Sequence, residues 1–96
     1  MNTKGRKPET KELFECILAL ENIHECEMFF DDLCTVNELN AMSQRILVAK
    51  MLKENMVYSD IAAKTGASSA TISRVARCLN YGDGGYSTVL NRIKND

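Results

Sequence analysis

The chain has 96 residues, of which 45% are hydrophobic and 26% charged, and its formal net charge is −1. This length suits one domain with a modest core, and the composition is that of a soluble globular protein. No apolar run is close to the length of a membrane span, which is about 18 residues. The start of the sequence is polar and lacks the apolar segment of a signal peptide. We therefore expect a cytoplasmic protein without a membrane partner.

The four cysteines do not have the spacing of a zinc site. Cys16, Cys26, Cys34 and Cys78 form no CxxC pair, and the single histidine, His24, stands in an isolated HxC. Because each cysteine lies in an apolar helical stretch, we expect reduced, buried thiols, and we expect His24 to be a solvated helix residue. The chain also lacks a nucleophile–base pair and a phosphate-binding loop. We expect no cofactor, no metal and no catalytic residue, so an enzyme is the least supported class.

The charges are divided unevenly along the chain. Residues 1–43 carry 4 Lys/Arg and 9 Asp/Glu, whereas residues 44–96 carry 8 Lys/Arg and 4 Asp/Glu. Binding to phosphates depends on the local field and not on the total charge. The basic half of the chain therefore favours an anionic partner, although charges on solvated helix faces also cluster by chance.

Helical spacing of apolar residues predicts three helices in the first part of the chain. The first extends from about Glu9 to Leu20. Asn22 is placed to cap the second helix. Thr35 begins a TVNE capping box that opens a third, longer helix ending near Asn55. The apolar surface of the third helix is wider than one face. The part that does not pack within its own domain favours contact with a partner subunit.

A short helix and a tight turn follow. Ser59 is placed to cap a helix over residues 60–65, and Gly66 stands where a turn requires positive φ. Two helices that cross closely need a small residue at the crossing, which Ala62 or Ala63 supplies. A short helix, a glycine turn and a second helix make up the helix-turn-helix unit, which we predict at about residues 59–80.

The second helix of this unit has one apolar and one polar side. Ser68 or Ser69 caps this helix, which continues to about Leu79. Its apolar side is formed by Ile72, Val75 and Leu79. A helix end that enters the major groove of DNA needs short side chains near the bases and donors for phosphates. The residues predicted to face DNA are Lys64, Ser68, Ser69, Ala70, Thr71, Ser73, Arg74 and Arg77.

The C-terminal part is predicted to be a turn followed by a last helix. Residues 80–85 read NYGDGG, a turn cluster in which Gly82 would be the left-handed C-cap of the preceding helix. The last helix extends from Tyr86 to Lys94. The fold class is thus all-α with about six helices, and the domain organisation is a disordered segment at residues 1–8 and a single helical domain at residues 9–96.

Two segments carry a family resemblance. TGASSATISRVARCLNYG and FFDDLCTVNELNAMSQRILVAKML resemble the Trp repressor superfamily, in particular its YerC/YecD-type branch of TrpR-like proteins. The resemblance covers roughly residues 13–92. It implies an intertwined homodimer with two helix-turn-helix heads that binds double-stranded DNA as a bacterial transcriptional regulator.

The resemblance also implies where a corepressor would bind. Trp repressors hold tryptophan between two arginines, which match Arg74 and Arg45, and a threonine of that pocket matches Thr35. The residue after the matched Arg74 is glycine in Trp repressors and Val75 here. The valine side chain would fill the space of the indole ring, so we expect no tryptophan binding. Arg74 would then contact phosphate or pair with a carboxylate.

Three functions are compared. The first is a sequence-specific DNA-binding transcriptional regulator, most plausibly a repressor, that works without tryptophan and with no small-molecule effector expected. A tryptophan-responsive repressor is a variant of it. The second class, favoured by the net charge of −1, is a protein–protein interaction module built on a helix-turn-helix scaffold.

Overall fold

The computed structural model describes residues 5–94, which form six helices and no strand. The all-α prediction is therefore confirmed. None of the helices in this range is long and apolar enough to cross a membrane. The helices are α1 (Glu9–Leu18), α2 (Ile23–Leu33), α3 (Val36–Lys53), α4 (Tyr58–Thr65), α5 (Ser69–Tyr81) and α6 (Gly85–Lys94).

The chain divides into two compact units, the first ending at Val36 and the second beginning at Asn37. The first unit holds α1 and α2. Asn22 caps α2 as predicted, because its Oδ1 accepts a hydrogen bond of 2.9 Å from the backbone N–H of Glu25. Neither helix contains a buried residue, although both are amphipathic. Part of the apolar surface of the first unit, including Leu18 and Ile23, is therefore exposed in the single chain.

The second unit contains the hydrophobic core. Its largest fully buried side chains are Val48 of α3, Ile61 of α4, and Ile72 and Val75 of α5. Burial of each such side chain contributes about 1.5–3 kcal/mol. Leu90 extends this cluster to α6. The core thus fixes α5 against three other helices.

The turn between α4 and α5 has the predicted left-handed glycine. Gly66 adopts φ +74° and donates its N–H to the carbonyl of Ala62 at 2.9 Å. Ala62 packs against the core whereas Ala63 is exposed, so Ala62 is the small residue at this position. Ala67, directly after the glycine, is buried and joins the core.

Side-chain hydrogen bonds hold this turn in place. The hydroxyl of Thr65 donates to the carbonyl of Ile61 at 2.7 Å and accepts the N–H of Ala67 at 3.1 Å. The side-chain amide of Gln44, on α3, donates to the carbonyl of Thr65 at 3.2 Å. A carbonyl in the last turn of a helix has no partner within the helix, so Gln44 satisfies it and ties α4 to α3.

Two predicted helix ends are wrong. Ser59 does not cap α4, because the carbonyl of Val57 already accepts the N–H groups of Asp60 and Ile61 and the helix begins at Tyr58. Gly82 is not left-handed but extended, with φ −86° and ψ −160°. A side chain at Gly82 would collide with the backbone carbonyl of residue 78, so close approach of the backbone explains this glycine.

Three of the other ends shift by two residues. α3 ends at Lys53 and not near Asn55. The first helix ends at Leu18. The N–H of Leu20 donates to the carbonyl of Ile17, three residues earlier, so the chain has left the four-residue hydrogen-bond spacing of an α-helix. α5 continues to Tyr81 instead of ending near Leu79. Residues 1–4 of the segment predicted to be disordered, residues 1–8, lie outside the described residues, and the disorder stays a prediction.

The prediction of buried thiols is wrong for two cysteines. Cys16 and Cys78 are exposed, while Cys26 and Cys34 are half-buried, and all four are free. Cys78 lies in an apolar stretch, but the 3.6-residue period places it about 110° from the centre of the buried stripe of α5. His24 is exposed, as expected. Among residues 5–94, no cluster of His, Cys, Asp and Glu could hold a metal ion.

We predict that Gly66→Ala lowers the free energy of unfolding by about 1–2 kcal/mol, the cost of a left-handed backbone at a residue with a Cβ. No atom lies within 4 Å of the added Cβ, so the cost would be conformational alone. Gly85→Ala is the matched control, because its Cβ also meets open space but φ at Gly85 is not positive. Urea denaturation measures both variants. Equal stability of Gly66→Ala and the unchanged chain would contradict this account of the turn.

Candidate nucleic-acid interface

The inner side of α5 is fixed by burial. Ile72 and Val75 are each 1% exposed, and Ala76 and Leu79 are half-buried on the same side. These four are the residues that helical spacing placed there. Since α5 has 13 residues, it is about 20 Å long, and its opposite side faces away from the core along this length.

The outer side of α5 consists of small side chains followed by two arginines. Ala70, Ser73, Arg74 and Arg77 are all exposed on this side, and Ser69 is exposed at the N-terminal tip of the helix. Ser69 and Ala70 lie in the first turn, and the arginines lie one and two turns further along the helix. The structure therefore places these predicted site residues on one accessible surface.

The cations near this surface have no partners within the described chain. Lys64, in the last turn of α4, is exposed, as are Arg74 and Arg77. Within residues 5–94 none of these three side chains forms an ion pair or a hydrogen bond. Arg74 is thus not paired with a carboxylate in the single chain, so both guanidinium groups are available to an external anion.

Ser68 is the N-cap of α5. Its Oγ accepts the N–H of Thr71 at 3.1 Å and donates to Oγ1 of Thr71 at 3.1 Å. Of the two serines considered for this position, Ser68 is therefore the cap. Its hydroxyl hydrogen is already committed to Thr71, which is itself half-buried. Ser68 can accept a further hydrogen bond but is not a ready donor to a ligand.

Sequence reasoning missed Tyr81 as a residue of the outer side of α5. Its side chain is 86% exposed, and it follows Arg77 by four residues, one helical turn further along the same side. The signal was present in the sequence, since the spacing of Arg74, Arg77 and Tyr81 is helical. The predicted end of α5 at Leu79 left this residue out.

The four residues of the possible corepressor pocket are distributed over both units. Thr35 is exposed in the first unit, whereas Arg45 is half-buried and Arg74 exposed in the second. Val75 belongs to the core and contacts no solvent. Its side chain fills the space on the inner side of α5 that a glycine would leave open.

The chain matches known proteins over nearly its whole length. The family model described as Trp repressor protein matches residues 8–94. YerC, an uncharacterised protein of Bacillus subtilis (strain 168), is 53% identical over 91 residues, covering 95% of this chain and 88% of YerC.

Two crystal structures have similar folds. A protein of Staphylococcus aureus, described as a candidate Trp repressor, superposes with a TM-score of 0.89 at 50% identity, covering 97% of this chain and 93% of that one. A TrpR-like protein of Eubacterium eligens ATCC 27750 gives a TM-score of 0.90 at 52% identity, covering 97% and 96%. The family model spans α1 to α6, and these relatives are similar over nearly the whole chain. The chain therefore belongs to the Trp repressor family.

Proposed function

We propose that this protein is a sequence-specific DNA-binding regulator of transcription, acting as a repressor in the bacterial cytoplasm. The observation that carries the proposal is the outer side of α5, where small side chains at the N-terminal end precede the unpaired cations Arg74 and Arg77. Membership of the Trp repressor family supports the same function. An enzymatic activity has no support from the described residues.

The proposed mode of binding places α4 and α5 as a helix-turn-helix, with the N-terminal end of α5 in the major groove. Ser69, Ala70 and Ser73 are short enough for α5 to approach base edges closely. Arg74 and Arg77 would bind phosphates along the groove. Lys64 adds charge beside the turn, while Ser68 and Thr71 contribute chiefly by fixing the helix end.

The partner that completes the protein is proposed to be a second copy of the chain. In α1 and α2 no residue is buried, and Leu18 and Ile23 are 84% and 78% exposed. Apolar surface of this kind favours association, because covering it removes it from water. In a dimer with two α5 helices, half-sites would lie about 34 Å apart on DNA.

Tryptophan is proposed not to be the corepressor. Val75 is 1% exposed and packs in the core with Ile72 and Ile61. An indole ring could occupy this space only by displacing a well-packed side chain, which is energetically unfavourable. The regulator would therefore bind DNA without tryptophan, in contrast to a tryptophan-responsive repressor.

We predict that Arg77→Ala weakens binding to every DNA sequence by a similar factor and reduces the slope of log K against log salt by about 1. Fluorescence anisotropy with specific and unrelated duplexes at several salt concentrations measures both effects. Arg92→Ala is the control. Arg92 is exposed on α6, so its substitution removes the same charge at a position away from α5. An unchanged affinity and slope in Arg77→Ala would remove Arg77 from the interface.

We predict no heat of binding when tryptophan is titrated into the protein at millimolar concentration, because Val75 fills the indole position. Isothermal titration calorimetry of the full chain is the measurement, with buffer alone as its blank. Micromolar affinity for tryptophan would contradict the assignment of Val75 as an excluding residue.

We predict that the chain sediments as a dimer at micromolar concentration and that Leu18→Glu shifts it to the monomer, because the substitution would place a charge in the apolar contact of the proposed dimer. Ala19→Glu introduces the same charge at the adjacent exposed residue, off the apolar side of α1, and should remain a dimer. Sedimentation velocity distinguishes the species. A monomeric unsubstituted chain, or equal behaviour of the two variants, would contradict the proposed dimer.

A further inference from the structure

A cleft of about 350 Å³ lies on the side of α5 away from Arg74, at the junction of four elements of the second unit. The end of α3 and the start of α4 form two of its walls, and α5 and the first turn of α6 form the others. This volume is within the range of about 300–1,000 Å³ that is typical of small-molecule sites. None of the residues predicted to face DNA or tryptophan lines it.

One part of the cleft is apolar. Leu52 of α3 and Ala76 and Leu79 of α5 line it, and all three are half-buried and packed at the edge of the core. The ring of Tyr58, at the start of α4, also contributes to the lining. This surface suits the hydrocarbon body of a small ligand, because contact with such a body removes apolar surface from water.

The remaining lining is polar and includes a cation. The ammonium group of Lys53 lies 3.4 Å from Oγ of Ser87, and the other lining side chains able to form hydrogen bonds are those of Asn55 and Asn80 and the hydroxyl-bearing Tyr58. No carboxylate lines the cleft, and within residues 5–94 Lys53 has no anionic partner. An ammonium group with only a neutral hydroxyl beside it is suited to binding an anion.

We propose that this cleft is a binding site for a small monocarboxylate with an apolar or aromatic body. The carboxylate would bind Lys53 and Ser87, the amides of Asn55 and Asn80 would complete its hydrogen bonds, and the body would contact Leu52 and the other apolar residues. Lys53 repels cations and no acidic residue lines the cleft, so a ligand whose only charge is an ammonium group is disfavoured. The site is separate from the proposed DNA contacts.

The location of the cleft gives a bound ligand a route to α5. The ligand would contact α5 beside its buried stripe, together with the helices that support it. A ligand that stabilises one arrangement of these helices changes the affinity for DNA by a coupling free energy. This consequence rests on the proposed DNA-binding function, whereas the ligand site does not depend on it.

The test uses phenylacetate as the probe and follows the ¹⁵N–¹H spectrum of the full chain without DNA. We expect saturable shifts centred on Asn55, Asn80 and Ser87, with a dissociation constant in the millimolar range typical of a fragment this small. 2-Phenylethylamine has a similar body and the opposite charge, and it should not bind. Shifts that do not saturate, or equal binding of the amine, would overturn the proposal.

A pair of variants tests the role of the cation. Lys53→Gln should weaken phenylacetate binding roughly tenfold, because it removes a charge-assisted hydrogen bond. Lys94→Gln removes the same charge from an exposed lysine of α6 outside the cleft and outside the proposed DNA contacts, and it should leave phenylacetate binding unchanged. The unperturbed spectrum of each variant verifies the fold. Equal loss in both variants would show a general charge effect and overturn the assigned site. Because no DNA is present, the result is independent of whether the protein binds DNA.

Discussion

The burial of Ile72 and Val75 against Ile61 and Val48 sets the orientation of α5 in the second unit. Two residues three positions apart in a helix share a face, so burying both fixes the rotation of α5 about its axis. That rotation presents the small side chains and Arg74 on the opposite side. The orientation of the candidate interface is therefore a consequence of core packing. Val75 anchors α5 in this core, and under the proposed function it would also exclude the indole ring of tryptophan.

The two units of the chain differ in how far they bury their apolar residues. Residues 37–94 bury a core of their own, whereas α1 and α2 bury no residue. A second copy of the chain would supply the missing contacts, and a dimer would also present two copies of α5 to DNA. The division of charge follows the same boundary approximately, with acidic residues in the first part and basic residues in the second. The proposed association and the proposed DNA binding would thus use different parts of one short chain.

Local patterns predicted much of this architecture. The helical periods of α5, the cap at Asn22 and the left-handed Gly66 depend on neighbouring residues, and all three were visible in the sequence. The bond from Gln44 to Thr65 joins residues 21 positions apart, and no local pattern indicates it. The predicted role of Gly82 was wrong for a similar reason. Glycine is selected both by positive φ and by close approach to a carbonyl, and the sequence does not distinguish the two. The cleft beside Lys53 arises where four helices meet, so it could not be read from any one of them.

Selection from a pool of random duplexes would show whether the outer side of α5 reads DNA, as we propose. The purified chain would be mixed with the pool at low salt, and bound duplexes would be recovered, amplified and sequenced over several rounds. The account predicts enrichment of an inverted repeat whose half-sites lie about one helical turn apart. Recovery of no enriched sequence, with no retention of duplex even at low salt, would contradict it and favour a helical scaffold that binds other proteins.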